Sequence, residues 1–233
     1  MTPQTIIVTI DGPAGSGKSS AARALADRLG FEFLDTGAMY RAVGWACLDR
    51  NVDPRNENAV SELTDQIELK MEGENVFVDG EDVTRPIRTN PVSQASSVIA
   101  RHPQVRDSLV RLQRQFAEGR QIVSEGRDQG TIVFPGAACK FFLEARPEVR
   151  ARRRHEQLLA SGESSDLQSL VEEIRERDER DANRPVAPLR PAEDAECIDT
   201  SDLSLEDVLN RMESRVRETL DGATGGRGDG ENA

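Results

Sequence analysis

The sequence predicts an α/β fold, a doubly wound parallel sheet entered through a phosphate-binding loop, and three observations predict it. Ile6-Ile7-Val8-Thr9-Ile10 is a β-branched run of the kind that a strand buried on both faces requires. A glycine-rich loop and a helix-forming stretch follow it directly. The strand–helix alternation then repeats through residues 31–35 and 38–50.

Each element follows in order. From Lys18 the chain has helical propensity, with Ala21, Leu25 and Leu29 as apolar positions, and Gly30 is a stop. A second helix carries Met39, Val43, Trp45, Ala46 and Cys47. The rhythm breaks between about residues 66 and 88. Ile67-Glu68-Leu69-Lys70-Met71 alternates, Glu72-Gly73-Glu74 reads as a turn, and Asn75 to Gly80 alternates again. That pattern predicts a small antiparallel insertion. Helical sequence resumes over about 91–119, with Pro103 at a restart.

Residues 121–125 and 139–143 are two further strands. Pro147 opens an arginine-rich helix, and a more polar helix covers about 167–183 until the prolines between Arg184 and Pro191 halt it. Cys197-Ile198-Asp199 is a last short strand, and Ser204 with Asp207 resembles an N-cap pair opening a final helix. Residues 1–220 are expected to form a single unit. The tail, 221–233, is too glycine-rich and polar to pack and is expected to be disordered, its Arg227-Gly228-Asp229 triplet a chance match to an adhesion motif.

Composition narrows the function classes. A net charge of −12 disfavours a nonspecific nucleic-acid binder, which needs a basic face to replace phosphate counterions. No apolar run approaches the roughly 20 residues of a membrane-spanning helix. The N-terminus lacks a basic flank and a cleavage site, so a cytoplasmic location is expected. Cys47, Cys139 and Cys197 are odd in number and far apart, which reads as reduced core thiols. His102 and His155 lie at no metal-ligand spacing, which argues against a structural zinc site and a His-based triad.

Gly12-Pro13-Ala14-Gly15-Ser16-Gly17-Lys18-Ser19 fits G-x-x-x-x-G-K-[ST] at every defined position, and Ser20 continues it into the helix. The glycines let successive N–H groups point inward at a helix N-terminus, where they attract the polyphosphate of ATP. Lys18 can reach the β- and γ-phosphates, and the Ser19 hydroxyl can ligate Mg²⁺. The loop alone also suits an ATP-binding regulatory module. Arginines argue for transfer between two phosphates. Arg41 follows the second strand and Arg127 the third, where ligands gather in such a sheet, and guanidinium groups hold phosphate oxygens bidentately. Arg150, Arg153 and Arg154 share one helical face, and Arg177, Arg180 and Arg184 share another, interleaved with Asp178, Glu179 and Asp181.

The motifs IDGPAGSGKSS, LDTGAMYR, GEDVTRPIR, EGRDQGTIVFP and ERDERDANRPVAPL together resemble the bacterial cytidylate kinases, from about Ile6 to Leu220. The resemblance implies transfer of the γ-phosphoryl group of ATP to CMP, and to dCMP, with Mg²⁺ as cofactor. A kinase of the same fold using UMP, AMP or dTMP is the nearest alternative. It makes 36–118 the monophosphate-binding region and about 147–190 a helical lid. It implies Arg41 and Arg127 on the acceptor phosphate, Ser97, Arg106 and Asp128 around the cytosine, and Arg177, Asp181 and Arg184 near ribose and phosphates. Thr36 joins the acceptor set and Arg154 the ATP set, with Lys18, Arg127 and Arg184 as catalytic residues. The partners expected are these nucleotides alone, for a monomer. Four positions depart from the commonest pattern: Thr36 for serine, Gln129 for methionine, Ala14 for serine, and Glu125 for aspartate, whose longer side chain must fit the same cleft.

Overall fold

The computed structural model describes residues 5–160, 162 and 164–225. The chain divides into two compact units. The described residues of Met1–Phe33 and Gly119–Ala233 form one, and Leu34–Glu118 the other.

The first unit is built on a five-stranded sheet. Its strands are β1 (Ile6–Asp11), β2 (Glu32–Asp35, of which Leu34 and Asp35 are counted in the other unit), β6 (Gln121–Gly126), β7 (Cys139–Glu144) and β8 (Glu196–Asp199), in the order β2-β6-β1-β7-β8. β1 pairs in parallel with β6 and with β7, and β7 in parallel with β8. The central place of β1 explains its composition. A strand flanked on both sides and covered on both faces needs apolar residues without alternation, and Val8 and Ile10 are fully buried. They pack with Leu25 of α1 (Lys18–Leu29), with Phe141 and Leu143 of β7, and with Met212 and Val216 of α8 (Leu205–Gly225).

Ser204 starts α8 with the reciprocal bonding the sequence suggested. Its Oγ accepts the Asp207 N–H at 3.1 Å, and its own N–H donates to Asp207 Oδ2 at 3.2 Å. α8 continues to Gly225, so its last turn occupies residues that were expected to belong to a disordered tail. Residues 226–233, with the Arg-Gly-Asp triplet, lie outside the described residues. Two more helices, α6 (Pro147–Ala160) and α7 (Leu167–Ala182), pack through a small cluster of Ala151, Leu170 and Val171.

The second unit holds α2 (Thr36–Asp49), α3 (Glu57–Gln66), α4 (Asn90–Ile99) and α5 (Pro103–Ala117) with a separate three-stranded sheet. That sheet is the antiparallel insertion, with β3 (Leu69–Glu72), β4 (Asn75–Val78) and a short β5 (Glu81–Asp82). Asp79 and Gly80 both take positive φ, 51° and 82°, and join β4 to β5 through a two-residue turn of the type Asp-Gly favours. Helices α2 and α4 approach closely at Gly44, where a Cβ would stand 3.2 Å from the Ser96 nitrogen and 3.3 Å from the Val92 carbonyl oxygen.

All three cysteines are free. Cys47 and Cys139 are buried as expected, but Cys197 is not a core thiol. β8 is an edge strand on which Ile198 points inward, so the residues on either side of it face solvent. No helix among the described residues is long and apolar enough to cross a membrane.

Candidate active site

The phosphate loop occupies residues 12–17, between β1 and α1, and its backbone leaves little choice of side chain. Gly12, Gly15 and Gly17 have φ of 149°, 77° and 87°. A Cβ on Gly12 would fall 2.0 Å from the Leu143 carbonyl oxygen, so β1 can leave the sheet at this point only through glycine. The loop backbone is tied from outside at two places. Arg150 Nη1 donates to the Ala14 carbonyl at 3.2 Å, and Thr200 Oγ1 donates to the Ser16 carbonyl at 2.9 Å.

The reactive side chains follow. Lys18 is buried, and its Nζ donates to the Pro13 carbonyl at 3.1 Å and lies 3.9 Å from Glu125 Oε2. Ser19 Oγ donates to Glu125 Oε1 at 2.8 Å. Glu125 therefore fits the cleft despite its extra methylene. Its carboxylate and the Ser19 hydroxyl form a pair of hard oxygen donors beside the lysine, a set suited to a magnesium ion completed by phosphate oxygens and water. Ser20 is exposed one step further along α1.

Asp181 is the focus of a second cluster in the same unit. It is 1% exposed and accepts hydrogen bonds from Arg127 Nε at 3.1 Å and from Arg184 Nη2. Burial works to raise its pKa, but the charges of Arg127, Arg184 and Arg177 outweigh that and hold the carboxyl below the usual range. Three guanidinium groups grouped on one carboxylate make a site suited to a polyanion. The fifth of the expected acceptor residues in this unit, Asp128, is buried and follows Arg127 in the chain.

The arginines of α6 divide their work. Arg150 is 3% exposed and its guanidinium is fully engaged. It holds the Ala145 carbonyl at 2.8 Å, the Ala14 carbonyl and both oxygens of Asp178. Arg153 donates to the Thr200 carbonyl at 2.7 Å, and its Nη1 is 3.8 Å from where a Cβ on Gly17 would be. Arg154, named from the sequence for ATP, is exposed. Arg150 and Arg153 are thus the α6 arginines beside the loop, the first engaged in holding its backbone and the second at Gly17, a division that helical spacing alone did not reveal.

Asp11 is a site residue that the sequence reading missed. This last residue of β1 is 4% exposed, and its two oxygens accept the backbone N–H groups of Gln129 and Gly130, each at 2.8 Å. Burial pushes its carboxyl up to about 7, against the pull of those two N–H groups, with Asp128 raising it further and Arg127 lowering it. Its signal was faint, an acidic residue at the end of an otherwise apolar strand. The unusual Gln129 is satisfied, since Ser124 Oγ donates to its Oε1 at 2.8 Å.

In the second unit the expected acceptor residues lie on three helices. Thr36 opens α2 and is buried, Arg41 follows within the same helix, Ser97 is half-buried on α4, and Arg106 is 4% exposed on α5. The Arg106 guanidinium lies 6.0 Å from the centre of the Tyr40 ring, within cation–π range. Asp35 organises the start of α2. Its Oδ1 accepts the Ala38 N–H at 2.8 Å and its Oδ2 accepts Arg88 Nη2 at 3.1 Å, which brings Arg88 to the helix N-terminus beside Thr36. Arg88 ends the GEDVTRPIR motif, and the sequence alone gives it no role.

Comparison with known proteins agrees in kind. Residues 8–218 match the family model described as cytidylate kinase. The chain is similar to a protein named cytidylate kinase from Caldanaerobacter subterraneus, 44% identical over 218 residues, which is 94% of this chain and 97% of that one. A protein of the same name from Pelotomaculum thermopropionicum is 49% identical over 214 residues, 90% of this chain and 95% of its own. Among solved structures, a shikimate kinase from Bacteroides thetaiotaomicron shares the fold at a TM-score of 0.50 and 14% identity, covering 91% of this chain and 98% of that one.

Proposed function

We propose how this chain, which belongs to the cytidylate kinase family, carries out the phosphorylation of CMP by ATP. The reading rests on one observation above the others: the phosphate loop, with Lys18, Ser19 and Glu125, lies in the same unit as the arginines gathered on Asp181.

The donor binds with its phosphates against the backbone N–H groups of residues 12–17, Lys18 on the outer phosphates and Arg153 alongside. Arg154 stays in the donor set on family membership alone. Mg²⁺ would be held by Ser19 and Glu125 with the phosphates, where it offsets charge on the transferred group. On the acceptor side we assign Arg41 and Arg127 to the phosphate and Arg177, Asp181 and Arg184 to the ribose and phosphates. Thr36, Ser97, Arg106 and Asp128 go to the nucleoside. Arg88 joins the acceptor arginines because Asp35 holds it at the N-terminus of α2. In this reading residues 36–118 are the monophosphate-binding region and about 147–190 the lid.

An oxygen of the CMP phosphate attacks the γ-phosphorus in line, the bond to the bridging oxygen of ADP breaks, and CDP and ADP leave. The acceptor enters already ionised, so no base is required, and catalysis is positioning and charge neutralisation. Lys18, Arg127 and Arg184 are the catalytic residues in this sense. Use of dCMP, a monomeric state and a cytoplasmic location complete the proposal, the last supported by three free cysteines.

A panel of nucleoside monophosphates with coupled ADP detection tests it. CMP is expected to be the best acceptor, with dCMP next. A preference for UMP, AMP or dTMP would displace the acceptor assignment, and no stimulation by any monophosphate would favour a regulatory module.

A further inference from the structure

Asp11 closes β1, yet its carboxylate acts on a distant segment. The two N–H groups it accepts, from Gln129 and Gly130, are the first of the single π turn Gln129–Val133, which follows Arg127 and Asp128 directly. First-turn donors have no partner within their own turn and need an outside acceptor. An aspartate at the cap position ordinarily supplies one from its own side chain. Asp128 occupies that position and makes no cap hydrogen bond. Asp11 is the cap instead, provided from the neighbouring strand.

The register makes this possible. β1 and β6 run parallel with Asp11 opposite Gly126, so the carboxylate stands across from the point where β6 ends and the turn begins. The turn is also pressed onto β1 as closely as glycine permits. A Cβ on Gly130 would lie 3.0 Å from Thr9 Oγ1, 3.2 Å from Lys140 Cδ and 3.4 Å from Asp11 Oδ2. Keeping a carboxylate in such a place is costly, as its raised pKa records, and an apolar residue would serve packing alone better.

We infer that Asp11 is a positioning residue for the acceptor: by capping the turn after Asp128 from the end of the donor strand, it fixes the directions in which Arg127 and Asp128 leave the backbone. Asp11 is bonded to Gly12, the first residue of the phosphate loop, but its side chain acts on the turn that follows Arg127 and Asp128. The inference rests on the reading of Arg127 and Asp128 as acceptor-binding residues.

Steady-state kinetics of Asp11→Asn, with CMP and ATP varied in turn, tests it. The amide keeps the shape but turns an N–H donor towards one of the two backbone N–H groups. KM for CMP should rise about tenfold or more, while KM for ATP stays near that of the unaltered chain. An equal rise in both constants, or none in either, overturns the role. Gly130→Ala, which crowds the same contact and leaves Asp11 in place, should show the same selective rise, and it carries the test if Asp11→Asn does not fold. Arg127→Ala is measured in parallel. If its KM for CMP is unchanged, the acceptor reading falls and the role of Asp11 falls with it. If that KM rises while Asp11→Asn and Gly130→Ala behave like the unaltered chain, the role of Asp11 alone is overturned.

Discussion

The phosphate loop takes its shape from the backbone, whereas the cluster around Asp181 takes its shape from side chains drawn from two distant stretches of chain. In the loop, three glycines at positive φ and a contact of 2.0 Å awaiting any Cβ on Gly12 leave one permissible path. At Asp181, Arg127 and Arg184 meet a carboxylate whose charge depends on pH. Covalent geometry fixes the first, and ion pairing fixes the second. The donor side should therefore tolerate changes of solution that loosen the acceptor side.

The largest effect expected from breaking this contrast is at Lys18. Lys18→Ala should lower turnover by about a thousandfold, the scale of losing a group that stabilises developing charge in a dry site. Thermal melting should change far less than turnover, because glycine conformations set most of the loop's course and Lys18 adds a hydrogen bond to it, at the Pro13 carbonyl. Turnover close to the unaltered chain would remove the loop from catalysis. Arg127→Ala should lower kcat/KM for CMP by about a hundredfold and leave KM for ATP nearly unchanged; isothermal titration with each nucleotide separates the two.

The two buried carboxylates sharpen the comparison through pH. Asp181 has a folded pKa below the ordinary 3.8, so its contribution to stability is present above about pH 4 and is lost as pH falls through the lower folded value. Asp11 has the opposite sign. With its folded pKa raised from 3.8 to about 7, its contribution is favourable below the lower value and is lost as pH rises through the upper one. Denaturant titrations from pH 3 to pH 8 should show Asp181→Asn losing pH dependence at the acid end and Asp11→Asn losing it between about 4 and about 7. Asp181→Asn should also destabilise the protein at neutral pH by about 2 kcal/mol, by leaving guanidinium groups unmatched in a buried setting. An Asp181→Asn profile that parallels the unaltered chain at acid pH would break the contrast.

The same division explains what the sequence made legible. The loop, the central strands and the parallel sheet were readable because each is a contiguous run whose residue types follow from local geometry. Arg127 was named from its place at a strand end and Arg184 from helical spacing, whereas Asp181 took its role from the resemblance, and no spacing rule joins Asp181 to Arg127, 54 residues away. Helix α3 was missed because its buried face is thin, little more than Val60, Leu63 and Thr64, although Asn56 caps it by accepting the Ala59 N–H at 3.2 Å. β5 was missed although Asp79-Gly80 announces a tight hairpin turn. Asp11 could not have been assigned a task, since its partners are backbone N–H groups, which every residue except proline offers.

The placement of Cys197 gives the molecule a ready attachment point for a reporter. Of the three thiols it alone is exposed; all three are pushed towards the protonated form, Cys47 and Cys139 chiefly by burial and Cys197 by partial burial and the Glu144 carboxylate, so accessibility is what sets Cys197 apart. A thiol-reactive fluorophore should label one position in the folded protein and three after denaturation. The second and third labels would then count opening events directly, in a chain with no disulfide to restrain them.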